Sequence, residues 1–249
     1  MLPVLFRLGP LTAWSYGALM FLGICAGVLV CRREFRRRGF DTAWVNELTA
    51  IGIVSGILGG KLMFLATVPW EAVRMDPRGA LGGGLVWYGV VFGVVASTWA
   101  YSHWRGAPVA TVLDMSVPGL AIGHAFGRVG CFLAGCCHGR PTSLPWAVTF
   151  TDPLSLAPHG VPLHPTQVYM ALHGFVVFAI LWAWRTRTRK DGELLLLYLL
   201  LYAPGRYLLE GLRGDAGRGT MGAVSLSQGL SVVAFAAALA SFLRLRRRV

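Results

Sequence analysis

Seven long apolar runs, in which charged residues are absent or rare, limit most strongly what this chain of 249 residues can fold into. A helix of about 20 apolar residues crosses the ~30 Å hydrocarbon core of a bilayer. The runs cover residues 14–31, 48–68, 81–101, 115–137, 166–184, 194–213 and 221–243. Only 14% of all residues are charged, whereas soluble domains carry about 25%. The sequence therefore predicts an all-α, polytopic membrane protein with seven transmembrane helices in a single membrane-embedded domain, residues 1–249.

Basic residues are distributed unevenly among the segments that separate these runs. Alternate segments hold 14 of the 23 lysines and arginines, the opposite segments hold six, and three lie within the runs. The richer set comprises Arg32, Arg33, Arg36, Arg37, Arg38, Arg105, Arg185, Arg187, Arg189, Lys190, Arg244, Arg246, Arg247 and Arg248. Because cytoplasmic loops carry the excess of lysine and arginine, we expect the N-terminus outside and the C-terminus in the cytoplasm. Residues 138–165 then form an external cap.

The net charge of +12 has a membrane explanation before a nucleic-acid one. Arginines beside apolar spans contact anionic lipid headgroups, whereas no basic stretch here lies in a soluble module of the kind that binds nucleic acid. We therefore expect anionic membrane lipids as partners and no nucleic acid.

Charges inside the runs are the candidates for chemistry, because each costs about 2.5–3.5 kcal/mol on insertion scales. Arg206 and Glu210 lie four residues apart on one helix face, and Arg213 extends that face by another turn. Two interpretations stay open for the pair: a functional site, or a salt bridge that neutralises itself within the bundle. A transporter is a third possibility, although no internal repeat of the kind common in transporters is visible.

Arg128 has no acidic residue within four positions on its own run, so it requires a partner elsewhere or an anionic ligand. Its surroundings, residues 123–131, are rich in glycine, which allows a helix or a lipid headgroup to approach the backbone closely. A guanidinium in such a cleft suits bidentate binding of a phosphate. Lys61, in the second run, either lines a polar cavity or contacts another headgroup.

Three of the five cysteines cluster at the end of the fourth run: Cys131, Cys136 and Cys137, followed by His138. Adjacent cysteines form only a strained ring, so a disulfide framework is not indicated. The cluster either binds metal or exchanges thiols, or its cysteines are small packing residues. A membrane thiol-redox or metal-handling protein is thus an alternative function.

Four ordered motifs carry a family resemblance. The segment from Asp114 to Phe150, DMSVPGLAIGHAFGRVGCFLAGCCHGRPTSLPWAVTF, resembles the signature of bacterial prolipoprotein diacylglyceryl transferases, G-R-x-G-N-F-x-N-x-E-x-x-G-R. HPTQVYM resembles that family's H-P-[ST]-Q-L-Y-E, and YAPGRYLLEGLRGD and LSQGLS are similar to its R-F-x-x-E-F-x-R and G-Q-x-x-S. The resemblance covers nearly the whole chain.

The resemblance implies a multi-pass enzyme of the bacterial cytoplasmic (inner) membrane. It would transfer the sn-1,2-diacylglyceryl group of phosphatidylglycerol to the lipobox cysteine of a preprolipoprotein and release glycerol 1-phosphate. No cofactor and no metal are implied. Arg128 and Arg206 match the family's two arginines, while Glu210 would orient Arg206 or help to accept the thiol proton. The substrate-binding residues that we expect are Arg128, Tyr16, Gly127, Gly130, Cys131, Gly139, Lys61 and Arg213.

The sequence also departs from the family pattern. Tyr88 stands where the H-G-G element has a histidine, so we expect Tyr88 or His124, one turn before Arg128, to take part in proton transfer. For His124, a structural bond to a backbone carbonyl is the alternative, and for Tyr16 an interfacial anchor. Cys131, Ala134 and Cys136 replace the signature's two asparagines and its glutamate. A paralogous transferase with another lipid or acceptor therefore stays open.

Overall fold

Long helices dominate the fold, as the apolar runs predict. The computed structural model describes residues 2–9, 11–82, 84–215, 220–221 and 224–247. Its helices are α1 (Ser15–Arg37), α2 (Ala43–Thr67), α3 (Trp70–Met75), α4 (Pro77–Gly82), α5 (Trp87–Trp104), α6 (Val109–Ala134), α7 (Thr166–Trp184), α8 (Glu193–Glu210) and α9 (Leu226–Arg247). Short antiparallel pairs join β1 (Val4–Leu8) to β2 (Leu11–Trp14), β3 (Val148–Thr149) to β4 (Pro162–Leu163), and β5 (Thr220–Met221) to β6 (Val224–Ser225).

Five of the described helices, α1, α2, α6, α7 and α9, are long and apolar enough to cross a membrane. This confirms the prediction of an all-α membrane protein. The 18-residue helices α5 and α8 occupy the other two apolar runs. Some predicted positions lie outside the described residues: Gly83, Gly222 and Ala223 within the runs, and Arg218 and Arg248 in the charge count.

Two helix ends differ from the predicted spans in ways that matter for the site. The fourth span was expected to continue to Cys137, but α6 ends at Ala134 because Gly135 adopts φ +80° and turns the chain. Cys136 and Cys137 therefore lie in a turn and not on a helix. α8 ends at Glu210, so Arg213 follows the helix. The span at residues 166–184 has the predicted bounds.

The chain divides into two compact units, residues 1–31 with 113–249, and residues 32–112. In the second unit, α2 and α5 pack so closely that their backbones are in contact. A Cβ added to Gly56 would lie 3.2 Å from Cγ1 of Val90, and one added to Gly59 would collide with the carbonyl of Gly89. Small residues of this kind let membrane helices approach closely.

In the first unit, α1 and α6 meet along a line of glycines. A Cβ on Gly23 would lie 2.9 Å from the carbonyl oxygen of Gly123, and one on Gly27 would lie 2.9 Å from that of Gly119. Real Cβ atoms do not approach so closely, so alanine would push the helices apart. This line of contact brings the beginning of α1 beside the part of α6 that carries Arg128.

Asp114 of α6 fixes the beginning of α8. Its buried carboxylate accepts hydrogen bonds from the backbone amides of Gly192, at 2.9 Å, and Leu195, at 2.8 Å. The first amides of a helix have no hydrogen-bond partner within the helix. Asp114, which belongs to α6, therefore acts as the N-terminal cap of α8. An apolar core packs α6, α7 and α8 together; it consists of Val117, Ala121, Val177, Leu181, Leu194 and Tyr198.

The segment between α6 and α7, predicted as a cap, has a small core of its own around Phe150, Ala157 and Leu163. Its beginning pairs with the chain that follows α8. The amide of Arg140 donates to the carbonyl of Leu212 at 2.9 Å, and the amide of Gly214 donates to that of His138 at 3.0 Å. The ends of α6 and α8 are thereby held together.

Candidate functional site

The last turn of α8 carries a buried carboxylate shared by two arginines. Glu210 is 1% exposed; its Oε2 lies 2.6 Å from Nη1 of Arg206 and 3.5 Å from Nη1 of Arg213. Arg206 also donates through Nη2 to Oγ of Ser227 on α9, at 3.0 Å. The i, i+4 pair predicted from the sequence is therefore formed, and Glu210 holds both guanidiniums in place.

Arg213 is fixed from a second side by Asp215. Nε and Nη2 of Arg213 donate to the two carboxylate oxygens at 2.9 Å and 2.5 Å, a bidentate arrangement. Such forked pairs are among the strongest polar contacts in proteins. Arg213 therefore has little freedom to move.

Arg128, on α6, is held differently. Its Nε donates to Nε2 of His124 at 3.0 Å, and in the described part of the chain no carboxylate pairs with it. Because Nε2 of His124 acts as an acceptor, this imidazole is neutral and carries its proton on Nδ1. Arg128 is thus a positioned cation whose charge is suited to an anionic ligand.

Tyr202, one turn before Arg206, lies among these groups. It interacts electrostatically with Arg128, Arg206, Glu210 and Arg213. Four residues separate Tyr202 from Arg206 and Arg206 from Glu210, so helical spacing could have identified this tyrosine, which the sequence analysis missed.

The Tyr202 ring is surrounded by other aromatic rings. It lies 5.4 Å from the imidazole of His124 and 6.0 Å from that of His173, and it stacks on Tyr198 at 5.3 Å. The His173 ring packs against the backbone of Gly205, where a Cβ would collide with it. Its Nε2 is buried and makes no hydrogen bond of regular geometry with the described residues, although the ring interacts with the backbone of Tyr202. His173, too, was not predicted from the sequence.

The remaining predicted site residues of the first unit have separate surroundings. Tyr16 interacts electrostatically with Arg128 and packs on Gly130, where a Cβ would lie 3.3 Å from Cδ2 of the ring. A Cβ on Gly127 would meet only Cε of Met20, at 3.7 Å, so space remains there. At Gly139, by contrast, His164 and Thr166 occupy the space that a Cβ would need.

Two predicted site residues, Lys61 and Tyr88, belong to the other unit. Nζ of Lys61 donates to the carbonyl of Gly84 at 3.4 Å and lies 5.2 Å from the centre of the Phe64 ring. Tyr88 is the second residue of α5 and is half-buried.

The three cysteines of the signature segment converge. Sγ atoms of Cys131, Cys136 and Cys137 all lie within 4.8 Å of one another, whereas the His138 ring contacts the carbonyl of its neighbour Gly139 at 3.1 Å. The neighbouring thiols of Cys131 and Cys136 lower the pKa of Cys137, and the positive charges of Arg128 and Arg213 act in the same direction. The thiols therefore lie within the electrostatic reach of the arginine cluster.

Comparison with known proteins gives one consistent result. The family model for prolipoprotein diacylglyceryl transferase matches residues 3–244. The phosphatidylglycerol--prolipoprotein diacylglyceryl transferase of Clostridium tetani is 40% identical over 235 residues, which cover 93% of each chain. The second such enzyme of Clostridium perfringens is 35% identical over 92% of this chain and 90% of its own. The enzyme of Bordetella avium is 30% identical over 99% and 95%.

Proposed function

Because this chain belongs to the prolipoprotein diacylglyceryl transferase family, we propose that Arg128 and the Arg206–Glu210–Arg213 group carry out that family's reaction here. The chain transfers a diacylglyceryl group from phosphatidylglycerol to the lipobox cysteine of a preprolipoprotein. Glycerol 1-phosphate is released. The comparisons favour this transferase over a thiol-redox or metal-handling protein and over a transferase with another acceptor.

The observation that carries the proposal is the position of Arg128, a cation held by His124 and not neutralised by a carboxylate in the described residues. In the reaction, the thiol sulfur forms a bond to the sn-3 carbon of the diacylglyceryl group. The bond between that carbon and the phosphate oxygen breaks, so a second negative charge develops on the departing phosphate. Fixed cations aimed at developing charge lower such a barrier, and Arg128 is placed to bind the phosphate in this way.

Glu210 acts as a positioning residue for the other two arginines. Its carboxylate contacts the guanidiniums of both Arg206 and Arg213, so it is placed to orient them. This carboxylate fixes Arg206 and Arg213. Their charges add positive electrostatic potential near Tyr202. The Tyr202 hydroxyl interacts electrostatically with Arg128, Arg206 and Arg213. It donates a hydrogen bond to the same phosphate.

The proton of the attacking thiol needs an acceptor, since a neutral cysteine is a weak nucleophile. His124 already uses its Nε2 lone pair to accept from Arg128. The His173 ring lies 6.0 Å from the Tyr202 ring, and its Nε2 accepts no hydrogen bond from the described residues. His173 is therefore the preferred acceptor, with His124 positioning Arg128. A role for Tyr88, on the other unit, stays a prediction.

The arrangement in the membrane follows from the charge bias. When α5 and α8 are counted with the five apolar helices, the chain has seven spans. The charge bias then places the N-terminus outside and the C-terminus in the cytoplasm. The cap, residues 138–165, then faces outward, and the whole chain acts as one domain of the bacterial inner membrane. Phosphatidylglycerol, the lipobox peptide and anionic lipids are the partners, and nucleic acid is not.

The test uses purified full-length protein in nanodiscs that contain phosphatidylglycerol, with a synthetic lipobox peptide. We expect glycerol phosphate to be released in step with a diacylglyceryl mass increase on the peptide. Arg128→Ala should abolish both, whereas Arg74→Ala, an exposed arginine of α3, should leave them unchanged. No product from the wild-type chain would overturn the proposal, as would equal activity of the Arg128→Ala variant.

A further inference from the structure

The strongest feature to which the proposed transferase chemistry assigns no bond-making or proton-transfer step is the group of three thiols at the end of α6. We propose that Cys131, Cys136 and Cys137 bind one thiophilic d10 cation of the Zn(II) or Cu(I) class. The site is additional to the transferase function and does not depend on it. Soft thiolate ligands select such ions over the harder Mg²⁺ and Ca²⁺.

The distances among the three sulfurs suit a shared ion. Zinc–sulfur bonds are about 2.3 Å long, so two sulfurs on one ion lie about 3.8 Å apart in tetrahedral geometry and at most about 4.6 Å apart. The three Sγ atoms already lie within 4.8 Å of one another. Small side-chain rotations are therefore enough to close the site around an ion.

The backbone that carries these thiols is built to hold them together. Cys137 has φ +58° and is the sole non-glycine residue with positive φ in the described part of the chain, a conformation that costs about 1–3 kcal/mol and persists where the surroundings enforce it. Those surroundings are on α7. Nε2 of Gln167 donates to the carbonyl of Cys136, and Oγ1 of Thr166 donates to that of Cys137, both at 2.8 Å.

The charges around the thiols also suit an occupied site. Three thiolates and a divalent ion carry a net charge of −1, or −2 with a monovalent ion, which would be unfavourable in an apolar setting. Arg128 and Arg213 both act electrostatically on Cys137, so the positive charges of these two arginines would offset part of this negative charge. A single disulfide would engage only two of the three sulfurs, and the Cys136–Cys137 pair is strained.

The experiment titrates the reduced, full-length protein in nanodiscs with Cd(II) under inert gas, using the thiolate-to-cadmium absorption as the signal. We expect one Cd(II) per chain, displaced by Zn(II) or Cu(I), and a rise in the melting temperature on binding. Cys131→Ser, Cys136→Ser and Cys137→Ser should each weaken binding by ~10–100-fold or more. The matched control is Cys25→Ser, a half-buried cysteine of α1, which should bind like the wild type.

Three results would overturn the site. The wild type takes up no Cd(II), or Cys25→Ser weakens binding as much as the cluster variants do. The third result is that only three of the five thiols of the isolated protein react with a thiol reagent, and that all five react after reduction. That result would identify a disulfide. A cluster variant that fails to fold is recognised by its melting curve without metal, and the other two variants then decide the question.

Discussion

Nε of Arg128 and Nε2 of His124 lie 3.0 Å apart, one turn from each other on α6, and the guanidinium donates to the imidazole. The bond joins the residue that we propose for phosphate binding to a neutral histidine. It also occupies the nitrogen that a general base would use. The structure thus gives His124 a role that acts through Arg128.

His124→Gln keeps an oxygen that can accept from Arg128, whereas His124→Phe does not. We expect kcat/KM to fall about 10²-fold for the phenylalanine variant, because a misplacement of about 1 Å costs that much. The glutamine variant should keep most of the activity with an unchanged pH profile. Equal loss in both variants, with loss of the acid limb in the pH profile, would instead identify His124 as the base.

His173→Gln removes the imidazole that we propose as proton acceptor. General base catalysis contributes about 10²–10⁴-fold, so we expect kcat to fall by that range and the acid limb of the pH–rate profile to disappear. His103→Gln, near the end of α5, is the control. Normal turnover by His173→Gln would exclude this histidine from proton transfer.

Tyr202→Phe removes one hydroxyl and keeps the ring that stacks on Tyr198. If the hydroxyl donates to the phosphate, activity should drop about 10²–10³-fold, as for other donors to developing charge, while the melting temperature changes little. Tyr198→Phe alters the neighbouring tyrosine of the same stack and should be nearly silent. Similar turnover by the two variants would argue against the Tyr202 role.

Glu210→Gln removes the carboxylate that Arg206 and Arg213 share. Breaking a buried ion pair leaves a charge uncompensated and costs about 3–5 kcal/mol, so unfolding in nanodiscs should occur at a markedly lower temperature. Asp215→Asn changes a more exposed partner of Arg213, 23% exposed against 1% for Glu210, and should cost less. The reverse order of melting temperatures would contradict this assignment.

Gly27→Ala places a methyl group 2.9 Å from the carbonyl oxygen of Gly119 and should separate α1 from α6. We expect a destabilisation of about 1–3 kcal/mol, typical of overpacking, seen as a lower melting temperature. Gly17→Ala, on the same helix with nothing within 4 Å, should be neutral or slightly stabilising. Equal stability of the two variants would mean that α1 and α6 do not meet at these glycines.

Hydrophobicity predicted the helices well, because length and lack of charge decide which segments enter a bilayer. It predicted the ends less well. Cysteine is apolar, so the hydropathy pattern predicts one span that continues to Cys137. The turn begins at Gly135 because that residue adopts a positive φ, and hydropathy carries no information about backbone conformation. Asp114 was likewise not recognised as a cap, because its partners Gly192 and Leu195 are remote in sequence.

The part of the site on α8 was predictable because helical spacing alone brings Arg206 and Glu210 together. The same rule, applied one turn earlier, would have found Tyr202. His173 could not be found in this way, since it reaches Tyr202 from α7. The convergence of Cys131 with Cys136 and Cys137 likewise depends on a turn whose carbonyls are held by α7.

The Asp114 cap also bears on how the protein is made. α8 contains Arg206 and Glu210, whose charges make its insertion into lipid costly when it is alone. α6 precedes α8 in the chain, so the carboxylate that receives the amides of Gly192 and Leu195 is synthesised before the helix that it caps. In the seven-span arrangement, α6 is thus a template on which α8 docks. The order of the helices along the chain therefore gives α8 a packing partner as soon as it is made.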